Sequence, residues 1–200
     1  MPVKAAVLTA FGEPLQVTDI EGPRPPQEGE VEVAVTYAAV NPLDVWVTKG
    51  DFPHTPLPFI TGTEGLGTTS DGDRVVLRGF GLGVTRPGTY AQRVVVPSGA
   101  ALAVPDGVDD LQAAVLGIAG VTAWRMVMHT TETTKDDVAL VLGASGGVVR
   151  CACRSPRPVV PASSGRPVRR ARSMPCTPTA PTASLLPPTR ANCWPAWVTR

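Results

Sequence analysis

The sequence predicts a protein of the α/β class, in which a β-rich first part is followed by the beginning of an α/β second part. Up to about residue 104, short apolar runs alternate with glycine and proline turns, as in a small β-barrel or sandwich. After Pro105 the apolar residues recur at helical spacing, and a further apolar run enters a glycine cluster at residues 138–149. An all-β block followed by helix, strand and glycine turn indicates two domains, of which the second has barely begun.

Short strands and one helix are predicted in the first 50 residues. Lys4–Thr9 and Leu15–Ile20 flank a Gly-Glu-Pro turn, which is typical of a β-hairpin. Val31–Val40 begins with alternation and then becomes apolar throughout, so we predict a strand that passes from a half-exposed to a buried setting and carries Asn41 to the interior. Asn41–Gly50 predicts one or two helical turns closed by the glycine.

The middle of the chain predicts further strands at residues 74–78, 90–96 and 101–104, after a proline-rich loop at residues 51–60. Between the loop and these strands, Thr61–Gly67 places one carboxylate, that of Glu64, among three glycines. Such a stretch indicates that the backbone packs closely against a neighbour.

Two helices are predicted after Pro105, the first capped by Asp109 or Asp110. We expect Gly117 and Gly120 to break it before a second helix at Val121–Met128. The apolar positions of the first helix recur at helical spacing and are Leu111, Ala114, Val115 and Ile118.

The charged residues divide the chain into two unlike regions. Residues 1–150 hold all 17 acidic residues, whereas residues 151–200 hold eight arginines, ten of the 22 prolines and no acid. This composition offers little apolar surface to offset the entropy of ordering, so we expect residues 151–200 to be disordered. All four cysteines fall there without the paired spacing of a zinc module, so we expect no metal: Cys151, Cys153, Cys176 and Cys193.

The first residues lack the long apolar core of a signal peptide, and no apolar run reaches the ~20 residues that a bilayer span requires. We therefore expect a cytoplasmic protein with no membrane partner.

The glycine cluster follows the apolar run Val138–Leu142 directly. A strand that enters such a turn suits backbone N–H groups approaching a pyrophosphate at a helix N-terminus. The alternative is a glycine-rich turn of any α/β protein, and position after an apolar strand favours the nucleotide interpretation.

Five segments in a fixed order carry a resemblance to a known family: AVNPLDVW, GTEGLG, GTYAQ before VVVP, AGVTAW, and VALVLGASGGVV. Together they resemble the medium-chain dehydrogenase/reductase superfamily over essentially all of residues 1–149. The resemblance implies a GroES-like β domain at residues 1–108 and linking helices with the start of a Rossmann NADP(H)-binding domain at residues 109–150. It also implies an active site in the cleft between the two domains.

The resemblance extends to one branch of the superfamily. The zinc alcohol dehydrogenases have a cysteine where this chain has Asn41, a histidine where it has Thr63, and a four-cysteine lobe that is missing here. Without a thiolate or imidazole at these places zinc has too few ligands. The resemblance therefore points to zinc-independent quinone oxidoreductases or the acrylyl-CoA reductase type, and both stay open.

In such an enzyme NADPH would deliver hydride to a quinone or to the β-carbon of an α,β-unsaturated carbonyl, while a donor stabilises the developing oxyanion. The resemblance implies Asn41, Asp44 and Tyr90 as catalytic residues, no metal, and often a homodimer. Cofactor-binding residues would be Thr122 near the nicotinamide and, along the pyrophosphate, Gly143, Ser145, Gly146 and Gly147.

Each site prediction has a structural alternative. Asn41 could close a turn, Asp44 could cap a helix, and Tyr90 could belong to the core. Trp46 and Phe80 are weaker candidates for lining the substrate cleft, and a core position is at least as good an interpretation for both. We expect the two histidines, His54 and His129, to be surface residues.

The chain departs from the superfamily at Val149, where the motif has a glycine that lets the helix pack on the strand. We expect a β-branched residue there to push helix and strand apart, no helix of periodic apolar residues to follow, and the strand at Val138–Leu142 to lack parallel neighbours. Beyond it, Pro, Arg and Ala make up 25 of the last 50 residues. This composition predicts a change of reading frame near Val148.

The genetic code supports this interpretation. Read one nucleotide upstream, the codons of Asn192-Cys193-Trp194-Pro195 encode Leu-Leu-Ala whatever the synonymous codons. The same register turns Val149 into glycine if Val148 is encoded by GTG. We therefore interpret the chain as a truncated, inactive member of its family. The alternatives are a non-catalytic GroES-like module and an Arg/Pro-rich-tailed nucleic-acid binder, of which the second is disfavoured because a selected basic tail would usually mix lysine with arginine.

Overall fold

The computed structural model describes residues 1–52, 54–130, 139–142, 146–152 and 159–162. The chain forms two compact units, Met1–Ile118 and Ala119–Arg200. The sequence places the domain boundary earlier, after residue 108. The helix that follows this point lies in the first unit because its Ala113 and Ala114 pack in one buried cluster with Leu66.

The described part of the first unit contains two antiparallel sheets, with strand orders β2-β1-β4 and β7-β3-β5-β6-β8. The predicted hairpin is confirmed by the pairing of β1 with β2, and the predicted β-rich first part is confirmed as a whole. The strands β1 to β8 are Pro2–Leu8, Gln16–Glu21, Glu30–Ala38, Phe59–Ile60, Glu64–Thr69, Arg74–Arg78, Arg93–Pro97 and Ala101–Ala103.

The segment Tyr90–Gln92 joins the two sheets. On one side the Gln92 N–H donates to the Lys4 carbonyl of β1 at 3.0 Å, and on the other side the Val35 N–H of β3 donates to the Gln92 carbonyl at 2.9 Å. This junction carries the partly buried side chain of Tyr90 to the Ala39 carbonyl, shortly before the first helix.

The second half of β3 differs from its prediction. Val33 is fully buried, but Tyr37 and, just beyond the strand, Val40 are exposed, so the expected passage into a buried setting is wrong. A β-bulge between Val35 and Tyr37 interrupts the pairing with β5, which breaks the simple alternation of faces, and β7 pairs only with Glu30–Ala34.

The first helix, α1 (Pro42–Lys49), confirms the predicted helical turns. Asn41 is its N-cap residue and proline occupies its first position, where the missing N–H costs nothing. Gly50 ends it with φ 82°, a left-handed conformation that glycine adopts without strain. The prediction that the chain delivers Asn41 to the interior is confirmed, since Asn41 is buried.

The second helix, α2 (Asp110–Ala114), is a single turn capped by Asp109, whose side chain accepts the Gln112 N–H at 3.1 Å. Leu111 and Val115 are exposed, although the helical spacing places them on one apolar face with Ala114, which is buried. The chain passes directly into a wider π-helical turn, Leu116–Gly120, which ends the 3.6-residue period on which the prediction depended.

The second unit contains α3 (Val121–Arg125), a π-helical turn (Met126–Thr130), β9 (Ala139–Leu142), α4 (Gly147–Ala152) and β10 (Val159–Ala162). β9 pairs in parallel with β10, so the expectation that this strand lacks a parallel neighbour is wrong. β10 lies in the segment whose composition predicts disorder, and most of that segment lies outside the described residues. Within the described ranges no helix is long and apolar enough to cross a membrane.

Val149 is buried within α4, so a short helix does follow the glycine turn. The helix continues three residues past Val149 to Ala152, which packs with Ala123 and Val127. The expectation that no helix of periodic apolar residues follows stays a prediction, because residues 153–158 lie outside the described residues.

A buried polar cluster as the candidate functional site

Five polar side chains of the first unit converge on the N-terminus of α1: Asn41, Asp44, Thr63, Glu64 and Tyr90. The first four are buried, and Tyr90 is partly buried. Burial of polar groups costs free energy unless hydrogen bonds replace those made to water. We call these five residues the polar cluster, and its hydrogen bonds define what it can do.

Asp44 organises the backbone of the polar cluster. One carboxylate oxygen accepts the backbone N–H of Asn41 at 2.7 Å, which is the reciprocal half of a capping box at the start of α1. The other oxygen accepts the backbone N–H of Thr63 at 2.9 Å. The predicted structural alternative, a helix cap, is therefore what Asp44 provides, and a catalytic role stays a prediction.

Asn41 joins helix and sheet through its side chain. Its Nδ2 donates to Oε1 of Glu64 at 2.8 Å. Because Glu64 begins β5 and Asn41 precedes α1, this bond fixes one end of the helix against the central strand of the larger sheet.

Glu64 is 1% exposed and uses both carboxylate oxygens. The second, Oε2, accepts the backbone N–H of Ile118 at 2.5 Å. Burial raises the pKa of Glu64 above its usual value, and the nearby charge of Asp44 raises it further, while the bonds from Asn41 and Ile118 oppose the rise.

Tyr90 completes the polar cluster. Its hydroxyl donates to the Ala39 carbonyl at 3.2 Å. Burial, followed by the proximity of Asp44 and Glu64, raises its pKa well above the usual value. Tyr90 therefore remains a neutral hydrogen-bond donor at physiological pH rather than a ready source of protons.

The polar cluster does not suit the zinc ion that the superfamily's alcohol dehydrogenases hold. Tetrahedral zinc needs thiolate, imidazole or free carboxylate ligands, whereas the oxygens of Asp44 and Glu64 already accept N–H groups. Thr63 has a hydroxyl that is buried without a partner, and a neutral hydroxyl is a poor zinc ligand. The described residues contain no group of three His, Cys, Asp or Glu side chains able to hold a metal.

The structure thus brings the three predicted catalytic residues together, while other predicted residues lie elsewhere. Trp46 and Phe80 are 47% and 61% exposed, so the interpretation of both as core residues is wrong. The histidines are exposed as expected, and His129 packs edge-on against Trp124 with ring centroids 4.4 Å apart.

The predicted cofactor residues belong to the second unit. Thr122 is exposed on α3, Gly146 precedes α4, and Gly147 begins it. Gly143 and Ser145 lie outside the described residues. A Cβ added at Gly147 would meet only the Ala119 side chain at an ordinary 3.6 Å, so packing alone does not require a glycine at that position.

Glu64 is the residue of the polar cluster that sequence reasoning missed as a site residue. The available signal was a lone carboxylate within Thr61–Gly67, a stretch correctly predicted to pack closely. A side chain on Gly65 would lie 2.6 Å from the Tyr37 carbonyl oxygen. A charge in a stretch with so little room must be buried, and a buried charge needs specific partners.

Comparison with known proteins shows which family of proteins this chain is similar to. Residues 27–106 match the alcohol dehydrogenase GroES-like domain. The chain is 35% identical to a zinc-type alcohol dehydrogenase-like protein of Schizosaccharomyces pombe over 136 residues, which cover 64% of the chain and 42% of that protein. It is 37% identical to the acrylyl-CoA reductase of Ruegeria pomeroyi over 134 residues, which cover 60% of the chain and 40% of the reductase.

A solved structure agrees with these relatives. The quinone oxidoreductase of Pseudomonas syringae superposes with a TM-score of 0.71 at 26% identity, over 80% of this chain and 52% of that one. The chain thus spans about half the length, or less, of the proteins it matches. Through its GroES-like domain, the chain belongs to the medium-chain dehydrogenase/reductase superfamily.

Proposed function

We propose that the parent activity of this chain is the NADP(H)-dependent, zinc-independent reduction of a quinone or of an α,β-unsaturated carbonyl, including an enoyl thioester. The observation that carries the proposal is the polar cluster, in which Asn41 and Thr63 stand where zinc enzymes of the superfamily have a thiolate and an imidazole. A conjugated acceptor suits such a site, because hydrogen-bond donors can stabilise its developing oxyanion without a Lewis-acidic metal.

The residues of the polar cluster would divide the work between positioning and polarisation. NADPH, when bound, supplies the hydride. Asp44 holds the start of α1 against Thr63, and Asn41 is held beside it to orient the nicotinamide ring. Tyr90 carries a hydroxyl that stays protonated, and its single hydrogen would turn from the Ala39 carbonyl to the oxygen of the acceptor when substrate binds.

The proposed cofactor residues are those of the second unit: Thr122, Gly143, Ser145, Gly146 and Gly147. We further propose that the chain as given is inactive, because the frame change near Val148 removes the sequence that would complete the sheet and bind the adenine and ribose. The superfamily resemblance supports a homodimer, and a cytoplasmic location stays a prediction. Since Met1–Ile118 is compact by itself, a non-catalytic binding module is the second candidate function.

Thermal unfolding with NADPH, together with NADPH oxidation assays, tests the proposal. One sample is the chain as given, and the other carries the upstream register from residue 149 onward. We expect no change in Tm at millimolar NADPH and no turnover for the first sample. We expect a raised Tm and oxidation of NADPH by 1,4-benzoquinone or crotonyl-CoA for the second.

A chelator separates the zinc and zinc-independent branches. EDTA should leave the turnover of the restored-register protein unchanged, and loss of activity that zinc restores would contradict the proposal. Failure of that protein to bind NADPH would instead favour the non-catalytic module.

A further inference from the structure

Glu64 makes two hydrogen bonds of different kinds from one buried carboxylate. Oε1 accepts from the side-chain amide of Asn41 at 2.8 Å, and Oε2 accepts from the backbone of Ile118 at 2.5 Å. None of the ion pairs found among the described residues involves Glu64. The carboxylate is therefore held by neutral donors alone.

We propose that Glu64 is a positioning residue that sets which atom of the Asn41 amide faces Glu64 and which faces the site, and that anchors the Gly117–Ile118 backbone to the same strand. The proposal rests on the proposed function, in which Asn41 orients the nicotinamide. It adds an orientation: Nδ2 of Asn41 faces Glu64, while Oδ1 accepts the Asp44 backbone N–H in the capping box and keeps one lone pair for a donor such as the carboxamide N–H of the cofactor.

The argument begins with the chemistry of the two side chains. An ionised carboxylate only accepts hydrogen bonds, whereas a primary amide donates from nitrogen and accepts at oxygen. Glu64 therefore selects Nδ2 of Asn41, and Oδ1 lies on the side of the capping box, where it accepts the Asp44 backbone N–H. The carboxylate of Asp44 does not compete for this amide, because its oxygens accept the backbone N–H groups of Asn41 and Thr63.

The second bond explains why the segment around Gly117 fits so tightly. A Cβ at Gly117 would lie 2.8 Å from Oε2 of Glu64 and 3.2 Å from Cβ of Arg78. The backbone of the π-helical turn thus approaches the carboxylate without an intervening side chain. Its Ile118 N–H then occupies Oε2, which leaves Oε1 for Asn41.

The substitution Glu64→Gln tests the orientation of the Asn41 amide while leaving the shape of the side chain at position 64 nearly unchanged. Glu64→Gln keeps the size of the side chain but offers one donor and one acceptor. If its oxygen keeps the Ile118 N–H, its nitrogen faces Asn41, and the Asn41 amide must rotate so that Oδ1 accepts. The variant should therefore invert the Asn41 amide rather than merely loosen it.

Asparagine-selective ¹⁵N labelling tests this orientation, since the chain holds only two asparagines, Asn41 and Asn192. In the chain as given, we expect the Asn41 side-chain N–H protons to exchange slowly with solvent. In Glu64→Gln, exchange should accelerate about tenfold or more, because the inverted amide no longer donates to residue 64. The matched control is Glu30→Gln at an ion-paired surface position, which should leave the Asn41 signal unchanged.

A double-mutant cycle gives a second readout, which reports which of the two side chains donates and which accepts. Asn41→Asp alone places two carboxylates in contact and should destabilise the chain strongly. Adding Glu64→Gln should recover part of that loss, because the donor and acceptor are then exchanged between the two positions. Additive losses, or an Asn41 exchange rate unaffected by Glu64→Gln, would overturn the proposal.

These measurements use no cofactor, so their outcome does not depend on whether the proposed function is correct. If the restored-register protein does not bind NADPH while the exchange and rescue results hold, the proposed function fails and the positioning role stands. If it binds NADPH, Glu64→Gln should weaken that binding about tenfold, the effect of one misdirected hydrogen bond. Unchanged NADPH binding in this variant would contradict the orientation we assign to Asn41.

Discussion

Met1–Ile118 and residues 151–200 belong to one chain but differ in composition and in the balance of their charges. The first contains acids and bases, several buried apolar clusters, and a polar cluster whose charges all have hydrogen-bond partners. Residues 151–200 contain eight arginines and no acid. Family membership is therefore carried by the first region, whereas cofactor binding would depend on sequence in the second.

The largest expected effect is on the stability of the first region, through Asp44. Asp44→Ala leaves the N–H groups of Asn41 and Thr63 buried without acceptors, and each such loss costs about 1–3 kcal/mol. We expect the free energy of unfolding to fall by about 3 kcal/mol in urea titrations. The control is Asp19→Ala, which breaks only the exposed pair with Lys4 and should cost less than about 1 kcal/mol. Equal losses in the two variants would show that the polar cluster does not stabilise the first region.

A smaller effect should appear in the dependence of stability on pH. Because the pKa of Glu64 is raised in the folded chain, the folded state binds a proton more readily than the unfolded state between the ordinary and the raised pKa. Stability contributed by the protonated form is present below the ordinary pKa and is lost as pH rises through the raised value. The dependence of the free energy of unfolding on pH between the ordinary and the raised pKa should disappear in Glu64→Gln. If this dependence persists in the variant, another titrating group causes it.

A still smaller effect on stability is expected from a surface ion pair, and here stability falls rather than rises as the pH is lowered. The Arg24 guanidinium bonds Glu30 and lowers the pKa of that carboxyl to about 2. The stabilisation by this pair should be present above the ordinary pKa of 4.5 and fade as pH falls towards 2. An NMR titration of the Glu30 carboxyl measures it, and Arg24→Gln should return the midpoint to its ordinary value. A midpoint near 4.5 in the unsubstituted chain would contradict the pair.

The smallest expected effect comes from removing part of the second region. Deletion of residues 163–200 should leave the free energy of unfolding of the first region within about 0.5 kcal/mol of its starting value, because Met1–Ile118 is a compact unit by itself. Urea unfolding followed at Tyr90 and Trp46 measures it. A loss of several kcal/mol would mean that the two regions are energetically one, and the comparison between them would fail.

Local patterns made much of the first region predictable. The strands of the hairpin, the proline and glycine that delimit α1, and the close packing of the glycine stretch follow from rules that act over a few residues. The same rules offered a helix cap as the structural alternative for Asp44, beside the catalytic role implied by the resemblance. Asn41 was placed in the interior because an apolar run leads to it.

Contacts between distant residues could not be derived in this way. The bond from Ile118 to Glu64 joins positions 54 residues apart, and neither position signals the other. The bulge after Val35 altered the exposure of Tyr37 and Val40, and a π-helical turn ended the helical spacing that includes Leu111. A single irregular residue changes a periodic pattern, because the prediction assumes that the period continues.

The nucleotide sequence across the codons of Val148 and Val149, and onward through those of residues 192–195, tests the central claim most directly. That claim is that the frame changes near Val148, so that the two regions have different origins in sequence. We predict a GTG codon for Val148 and an open upstream register that reads glycine at position 149 and continues with the apolar periodicity of alternating strands and helices. A stop codon in that register before position 192, or an open register without this periodicity, would contradict the claim.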